Sequence, residues 1–94
     1  MTYEWHRLKA ESNLKDHGVS FEEARTVFDD PLADFAPDVL HSFDETRFAA
    51  MGTSEQGRLL VVVFTERGDT IHIITAREAT PKERRHYESY DHNS

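Results

Sequence analysis

The segment Arg58–Tyr87 constrains the fold more than any other part of this chain. It contains a continuous apolar run, Leu59–Phe64, which is typical of a strand that is buried on both faces. A hairpin turn of sequence ERGD follows at positions 66–69, where Gly68 is free to take a positive φ, and Thr70–Ala76 forms the next strand. The segment therefore predicts a buried hairpin.

A capped helix is predicted directly after this hairpin. Thr80 is a favoured N-cap residue, Pro81 suits the first helical position, and Glu83 completes a capping box. This is the best local signal in the chain, and it predicts a helix from Pro81 to about Tyr90.

The first third of the chain predicts two further helices. One runs over His6–His17 and ends before Gly18, a residue that is favoured just past a helix end. The other begins with a capping box of Ser20 and Glu23. It ends at Asp30, because the residue before a proline is driven out of the helical region.

Three more segments are candidate strands: Tyr3–Trp5, Asp34–Ala36 and Arg47–Gly52. Residues 31–46 are the least regular part of the chain, and so long a loop in a small domain suggests a functional role. The order of elements predicts a single α+β domain over residues 1–94. We expect an antiparallel sheet of three to four strands, with two N-terminal helices and one C-terminal helix.

Composition excludes several classes of function. The 94 residues include no cysteine, which rules out disulfides, thiol chemistry and any zinc site that contains cysteine. No apolar run is long enough to cross a membrane, and the N-terminus lacks the apolar core of a signal peptide, so we expect a cytoplasmic protein.

The net charge of −7 is localised. Residues 1–57 carry five Lys/Arg against twelve Asp/Glu, whereas residues 58–94 carry six of each. Most of the surplus lies between Glu22 and Glu45, where eight acids accompany one base. An acidic chain is a poor generic binder of nucleic acid. The acidic segment attracts a basic partner or serves only solubility.

The first helix and the loop after residue 40 each contribute candidate site residues. Lys9, Asn13 and His17 lie on one face of the helix, which is either a solvated polar stripe or the side of a groove in which Lys9 binds phosphate. In the loop, His41 and Glu45 precede Arg47. They suit proton transfer or metal ligation, and an acidic loop without chemistry is equally compatible with the pattern.

The second half of the chain contributes arginines and a tyrosine. Arg67 in the hairpin turn and Arg77 at a strand end can bind phosphate bidentately, or they form salt bridges with nearby acids. On the last helix, Arg84 and Arg85 are candidate phosphate ligands, and Tyr87 is a candidate for base stacking or proton transfer. The alternative is that the tyrosine packs on the sheet and the arginines are solvated.

Three segments in order resemble one known family, the BrnT toxins of type II toxin–antitoxin systems. The segments are WHRLKAESNLKDHGVSFEEARTVFDDP, HSFDETRF and GRLLVVVFTERGDTIHIITAREATPKERRHYE, which together extend from Trp5 to Glu88. The resemblance implies a RelE-like fold. It also implies a ribonuclease that inhibits translation and that needs neither a metal ion nor a cofactor. It also implies a BrnA-type antitoxin, which represses the operon through its own DNA-binding part. His72 and His6 depart from the family pattern, which usually has arginine and an acid at these positions.

Competing hypotheses assign different roles to the candidate residues. In the leading hypothesis Arg77 and Arg67 hold a pentacoordinate phosphorane, His41 or Glu45 is the base, and Tyr87 is a further candidate. The residues expected to position RNA are Lys9, His17, Arg47, Arg84 and Arg85. An alternative hypothesis is a non-catalytic binding module that docks a basic antitoxin and acts as a co-repressor. A metal-assisted hydrolase that uses His41 and Glu45 is the third.

Overall fold

The computed structural model describes residues 1–42 and 44–92, and the side chains of His41 and residues 90–92 lie outside the described part. The described chain forms five strands and three α-helices, and two short 3-10 helices lie at Thr26–Asp29 and Val39–His41. In chain order the elements are β1 (Thr2–Trp5), α1 (Arg7–His17), α2 (Phe21–Arg25), β2 (Asp34–Pro37), β3 (Arg47–Thr53), β4 (Leu59–Arg67), β5 (Thr70–Glu78) and α3 (Pro81–His92).

The five strands form one mixed sheet in the order β1-β5-β4-β3-β2. The expected antiparallel sheet of three to four strands is therefore wrong in strand number and in direction, because β1 pairs with β5 in parallel. Thr2 lies opposite Thr70 in this pairing. Parallel strands are joined by a long connection rather than by a tight turn. The sequence next to a four-residue strand therefore does not show which strand it pairs with or in which direction.

The hydrophobic core lies between one face of the sheet and the helical layer of α1, α2 and the 3-10 helix that follows α2. Its largest fully buried side chains are Phe21, Leu60, Ile73, Val19, Val27 and Val62. Trp5 packs edge-on against Phe21, with ring centroids 6.0 Å apart. Full burial of each large apolar side chain contributes about 1.5–3 kcal/mol, so this layer supplies much of the stability of the domain.

Asn13 joins α1 to the edge of the sheet. Its amide oxygen accepts a hydrogen bond from the Ala76 backbone N–H at 3.1 Å, and its Nδ2 donates to the Ala76 carbonyl at 2.9 Å. Nδ2 also donates to the carbonyl of Val19. β1 pairs with β5 only as far as Ile73, so the backbone groups of Ala76 would otherwise be buried without partners. The Asn13 side chain provides those partners. It is only 4% exposed, so Asn13 does not belong to a solvated stripe.

The buried carboxylate of Glu23 ties α2 to the start of β4. Ser20 Oγ accepts from the Glu23 backbone N–H, which is one half of the predicted capping box. The other half of the box, a hydrogen bond from the Ser20 backbone N–H to the Glu23 side chain, does not form. The Glu23 side chain accepts hydrogen bonds from Arg58 Nε at 3.0 Å and from Ser54 Oγ at 2.7 Å. The hydrogen bond from Arg58 is the main cause that holds the pKa of Glu23 below its ordinary value, although burial of the carboxylate acts to raise it.

Candidate functional site

The second face of the sheet carries a groove between α1 and the strands β3, β4 and β5. We call it the first groove; its volume is about 490 Å³. It is lined by His6, Leu8, Lys9, Ser12, Glu45, Arg47, Arg67, His72, Ile73 and Ile74. Four of the candidate residues, from three separate parts of the chain, thus meet at one place: Lys9, Glu45, Arg47 and Arg67.

A second groove continues the first along the same face towards α3. Its volume is about 370 Å³, and its lining is Asp38, Arg47, Ala49, Val61, Val63, Ile74, Thr75, Arg77 and Glu83. Arg47 and Ile74 line both grooves. The two grooves therefore form one strip, with an apolar floor of strand residues and arginines at both ends and in the middle.

Arg67 is held between two carboxylates in the first groove. Its Nη1 lies 3.3 Å from Glu4 Oε2, and its Nη2 lies 3.3 Å from Glu45 Oε1. Because the guanidinium is about half exposed, both contacts are weakened by solvent and exchange readily with a stronger anion. The arrangement orients Arg67 while leaving it available to a ligand.

Lys9 and Arg47 have no acidic partner among the described residues. Arg47 begins β3, where its backbone N–H donates to Ser42 Oγ and its carbonyl accepts from the Asp38 backbone N–H. Its side chain is half-buried in both grooves. Two cations without an acidic partner beside Arg67 concentrate positive charge in this part of an otherwise acidic protein, which is a charge distribution that suits an anion such as phosphate.

Arg77 forms the strongest ion pair of the second groove. Its Nη1 and Nη2 donate to the two carboxylate oxygens of Glu83 at 2.8 and 2.9 Å. Glu83 also accepts from the Thr80 backbone N–H, and Thr80 Oγ1 accepts from the Glu83 N–H, so the predicted capping box is confirmed. The hydrogen bond from Arg77 is the main cause that lowers the pKa of Glu83 from 4.5 to about 2.

We expect the packing of α3 on the sheet to weaken in acid. The folded-state pKa of Glu83 is depressed, so its stabilisation is complete above about pH 4.5 and is lost as the pH falls towards 2. Because the pair is partly exposed, the loss is about 1–2 kcal/mol rather than the full value of the shift. Amide hydrogen exchange of α3 at pH about 5 and about 3 measures it. The variant Glu83→Gln should lack this pH dependence, and an unchanged dependence in that variant would contradict the assignment.

Tyr87 fixes the middle of α3 to the end of β3. Its hydroxyl donates to Asp30 Oδ2 at 2.6 Å, and Thr53 Oγ1 lies 3.3 Å from it. Burial raises the pKa of Asp30, but hydrogen bonds from Thr53, Tyr87 and the Leu32 backbone together hold that pKa below its ordinary value. Tyr87 thus donates to an ionised carboxylate and lines neither groove.

The remaining candidates do not line the strip. Arg84 and Arg85 are exposed on α3, and His17 is exposed at the end of α1. None of the three lines either groove. The side chain of His41 lies outside the described residues, although its backbone closes a 3-10 helix near the second groove residue Asp38.

Arg67 and Arg77 lie at opposite ends of the strip. Arg77 pairs with Val61 across the sheet, and Arg67 follows Val61 by six positions on β4. At about 3.3 Å per residue, about 20 Å separates the two backbones. The expectation that both arginines hold one phosphorane does not fit this spacing, because each side chain also points to a different glutamate.

Two side chains beside the first groove were not assigned a chemical role from the sequence. In the sequence His72 stands out only as a departure from the family pattern, and Glu4 belongs to no motif. They lie opposite each other on β5 and β1, and His72 Nδ1 is 2.7 Å from Glu4 Oε2. Strand alternation could have predicted that both side chains lie on the face of the sheet opposite the core, because the residues on either side of each of them face the core.

Within the described residues, no group of three or more His, Asp or Glu side chains is placed to hold a metal ion. The same part of the chain has no helix of the length and apolar character needed to span a membrane.

Most of the chain matches the model of one known protein family. Residues 5–83 match the model of a family described as the ribonuclease toxin BrnT of type II toxin–antitoxin systems. This places the chain among the type II toxins, whose partner is a protein antitoxin. The chain belongs to the BrnT family.

One solved structure supports the fold. The crystal structure of the Brucella abortus ribonuclease toxin BrnT is similar to this chain with a TM-score of 0.66 and 20% sequence identity. The match covers 85% of this chain and 99% of that one. At this identity the likeness shows the fold alone. A sequence search found no curated protein that matches significantly.

Proposed function

We propose that this chain is a metal-independent endoribonuclease that cleaves RNA in the cytoplasm and inhibits translation. A cognate BrnA-type antitoxin would neutralise it and would connect it to operator DNA. The observation that carries the proposal is the meeting of Lys9, Arg47 and Arg67 in the first groove. These cations come from α1, β3 and β4, and two of them have no acidic partner in the described part of the chain.

The location of the cations answers the objection that the chain is too acidic to bind nucleic acid. The net charge is −7, but binding of RNA depends on the charges that meet its phosphates. Apolar side chains floor the strip between the arginines, where they suit the faces of unstacked bases. A single strand of RNA that lies along the strip would place successive phosphates near Arg67, Arg47 and Arg77.

The proposed reaction is transesterification at one phosphate. A base removes the proton of the 2′-hydroxyl, the 2′ oxygen attacks the adjacent phosphorus, and the 5′ oxygen leaves. Arg67 is the cation best placed to stabilise the charge of the phosphorane, since it lies among the ionisable groups of the first groove. Glu45 lines the same groove, and with His41 it is a candidate base. Arg77 would bind a phosphate further along the strand.

The test measures RNA cleavage by the purified chain in buffer with a chelator, and growth after induction without antitoxin. We expect cleavage and growth arrest. The double variant Lys9→Gln/Arg47→Gln should bind RNA at least about tenfold more weakly, and the slope of log affinity against log salt should fall by about 1.4 for two lost contacts with a single strand.

The matched control is Arg84→Gln/Arg85→Gln, which removes the same charge from exposed positions outside both grooves. It should bind RNA nearly as the parent does. Intact RNA and normal growth with the wild-type chain would refute the nuclease. Cleavage that disappears with chelator would instead support a metal-assisted hydrolase through His41 and Glu45.

One observation favours a second candidate, a non-catalytic binding module that acts as a co-repressor with its DNA-binding antitoxin. The acidic segment that contains β2 exposes three large apolar side chains: Phe35, Val39 and Leu40 are 53%, 77% and 84% exposed. Apolar residues among acids suit a basic, amphipathic partner. This candidate predicts a tight complex with antitoxin and no cleavage of RNA by the free chain.

A further inference from the structure

Glu4 and His72 form a carboxylate–imidazole pair at the first groove. Glu4 lies on β1 and His72 lies opposite it on β5, on the face of the sheet that carries the groove. Glu4 Oε2 is 2.7 Å from His72 Nδ1 and 3.3 Å from Arg67 Nη1. The His72 side chain is 19% exposed, so packing holds the ring while leaving an edge open to solvent.

The distances define which ring nitrogen carries the proton. A carboxylate can only accept hydrogen bonds, so the short contact requires a proton on His72 Nδ1. Arg67 Nη1 is 3.4 Å from the same nitrogen, but Nδ1–H offers it no lone pair, and the arginine donates to Glu4 instead. In the neutral imidazole, Nε2 is then the nitrogen with a free lone pair. No described residue forms a hydrogen bond with it.

We propose that His72 is the catalytic general base of the first groove and that Glu4 is its positioning residue. The proposal rests on the proposed function, since it assigns a proton acceptor for the 2′-hydroxyl of RNA. Unrelated enzymes activate hydroxyl groups with the same arrangement, in which a carboxylate bonds one nitrogen of an imidazole and the other nitrogen takes the proton. The charged and titratable groups around His72 are Glu4 on β1, His6 just before α1, Lys9 on α1, Glu45 before β3, Arg47 on β3 and Arg67 on β4.

The proposed cleavage is a transesterification at one phosphate. His72 Nε2 takes the proton of the 2′-hydroxyl, and a bond forms between the 2′ oxygen and phosphorus. The bond from phosphorus to the 5′ oxygen breaks, and that oxygen leaves with the electron pair and takes a proton from water. The products are a 2′,3′-cyclic phosphate and a 5′-hydroxyl. The imidazolium of His72 returns its proton to solvent, and the positive charge that it carries meanwhile is stabilised by Glu4.

Geometry favours His72 over Glu45 for this role. Glu45 Oε1 already accepts a hydrogen bond from Arg67, so this oxygen is engaged before a substrate binds. His72 instead uses Nδ1 for its fixed contact and keeps Nε2 for the substrate. Histidine also titrates near neutral pH, where a base is both available and strong enough to act.

The experiment compares the pH dependence of RNA cleavage by the wild-type chain and the variant His72→Gln. We expect kcat of the variant to fall by about 10²–10⁴-fold, which is the usual contribution of a positioned base. The wild-type rate should rise with pH through the range in which histidine titrates, and the variant should lose this limb. The matched control is His86→Gln, which alters an exposed histidine on α3 that faces Asp34 and should keep both rate and limb.

The positioning role of Glu4 is tested by Glu4→Ala with a spectroscopic signature. The ¹⁵N NMR spectrum of His72 should show the Nδ1–H tautomer in the wild-type chain and lose it in Glu4→Ala. In the same variant kcat should fall at least about tenfold with little change in KM, because only orientation in the transition state is lost.

The outcomes separate this assignment from the proposed function. A wild-type chain that cleaves no RNA refutes the nuclease, and the role of His72 falls with it. A wild-type chain that cleaves RNA while His72→Gln cleaves equally well refutes the role of His72 alone. Loss of the pH limb in His41→Gln, with the limb kept in His72→Gln, would transfer the role to His41 and also overturn the assignment.

Discussion

Replacement of Arg58 by alanine is expected to lower the free energy of unfolding by about 3–5 kcal/mol. Glu23 is 3% exposed, and Arg58 provides two of the hydrogen bonds to its carboxylate. Without the guanidinium, a buried negative charge keeps only the hydrogen bond from Ser54 Oγ. Arg58 Nη2 also donates to the carbonyl of Gly18, so the variant loses the link between the end of α1 and the start of β4.

Urea unfolding followed by the fluorescence of Trp5 measures this loss, because Trp5 packs against the buried Phe21. The double variant Glu23→Gln/Arg58→Ala should recover part of the stability, since the unpaired charge is then removed as well. The matched control is Arg7→Ala, which breaks an exposed pair with Glu11 and should leave the free energy of unfolding nearly unchanged. A loss below about 1 kcal/mol for Arg58→Ala would show that Glu23 is solvated or protonated in the folded chain.

The same residues show what the sequence can and cannot predict about the fold. Capping boxes are local patterns, and the box of Thr80 and Glu83 is present as predicted. At Ser20 the pattern is equally good, but only half of the box forms. The carboxylate of Glu23 binds Arg58, which lies 35 residues further along the chain. A local pattern contains no information about such a competitor.

The burial of Asn13 and the direction of β1 could not be predicted from the sequence for a related reason. Asn13 has the helical spacing of a polar stripe with Lys9 and His17, yet it is buried against β5. Spacing shows which side chains share a helix face, whereas the docking of α1 at the sheet edge decides which of them meet solvent. The short strand β1 likewise gains its direction from a partner that only the tertiary structure supplies.

The candidate site was predicted better by residue type than by position. Permanent charge near a strand end pointed to Arg67, the segment HSFDETRF pointed to Arg47, and both arginines line the first groove. Permanent charge also pointed to Arg84 and Arg85, which are exposed on α3 outside the grooves. Whether a surface arginine meets a groove depends on the placement of its helix across the sheet, and here α3 turns Glu83 towards Arg77 instead.

Substitution of Arg67 by alanine is expected to lower the rate of RNA cleavage by about 10²–10³-fold, as does removal of a single group that stabilises transition-state charge. Arg67 is the arginine that shares the first groove with His72, Glu45 and Lys9. The same substitution at Arg77 should lower the rate by about tenfold or less, since Arg77 lies about 20 Å of strand away. Single-turnover cleavage of a short RNA measures both rates.

The pair is a controlled comparison because the two arginines carry the same charge and are similarly exposed. Each is about half exposed, and each substitution removes the arginine from its glutamates: Glu4 and Glu45 for Arg67, and Glu83 for Arg77. A general effect of lost positive charge would therefore lower both rates equally. If Arg77→Ala is the more damaging variant, the reacting phosphate lies in the second groove beneath α3. His72 would then be too distant to act as the base, so this comparison tests the placement of the whole reaction along the strip.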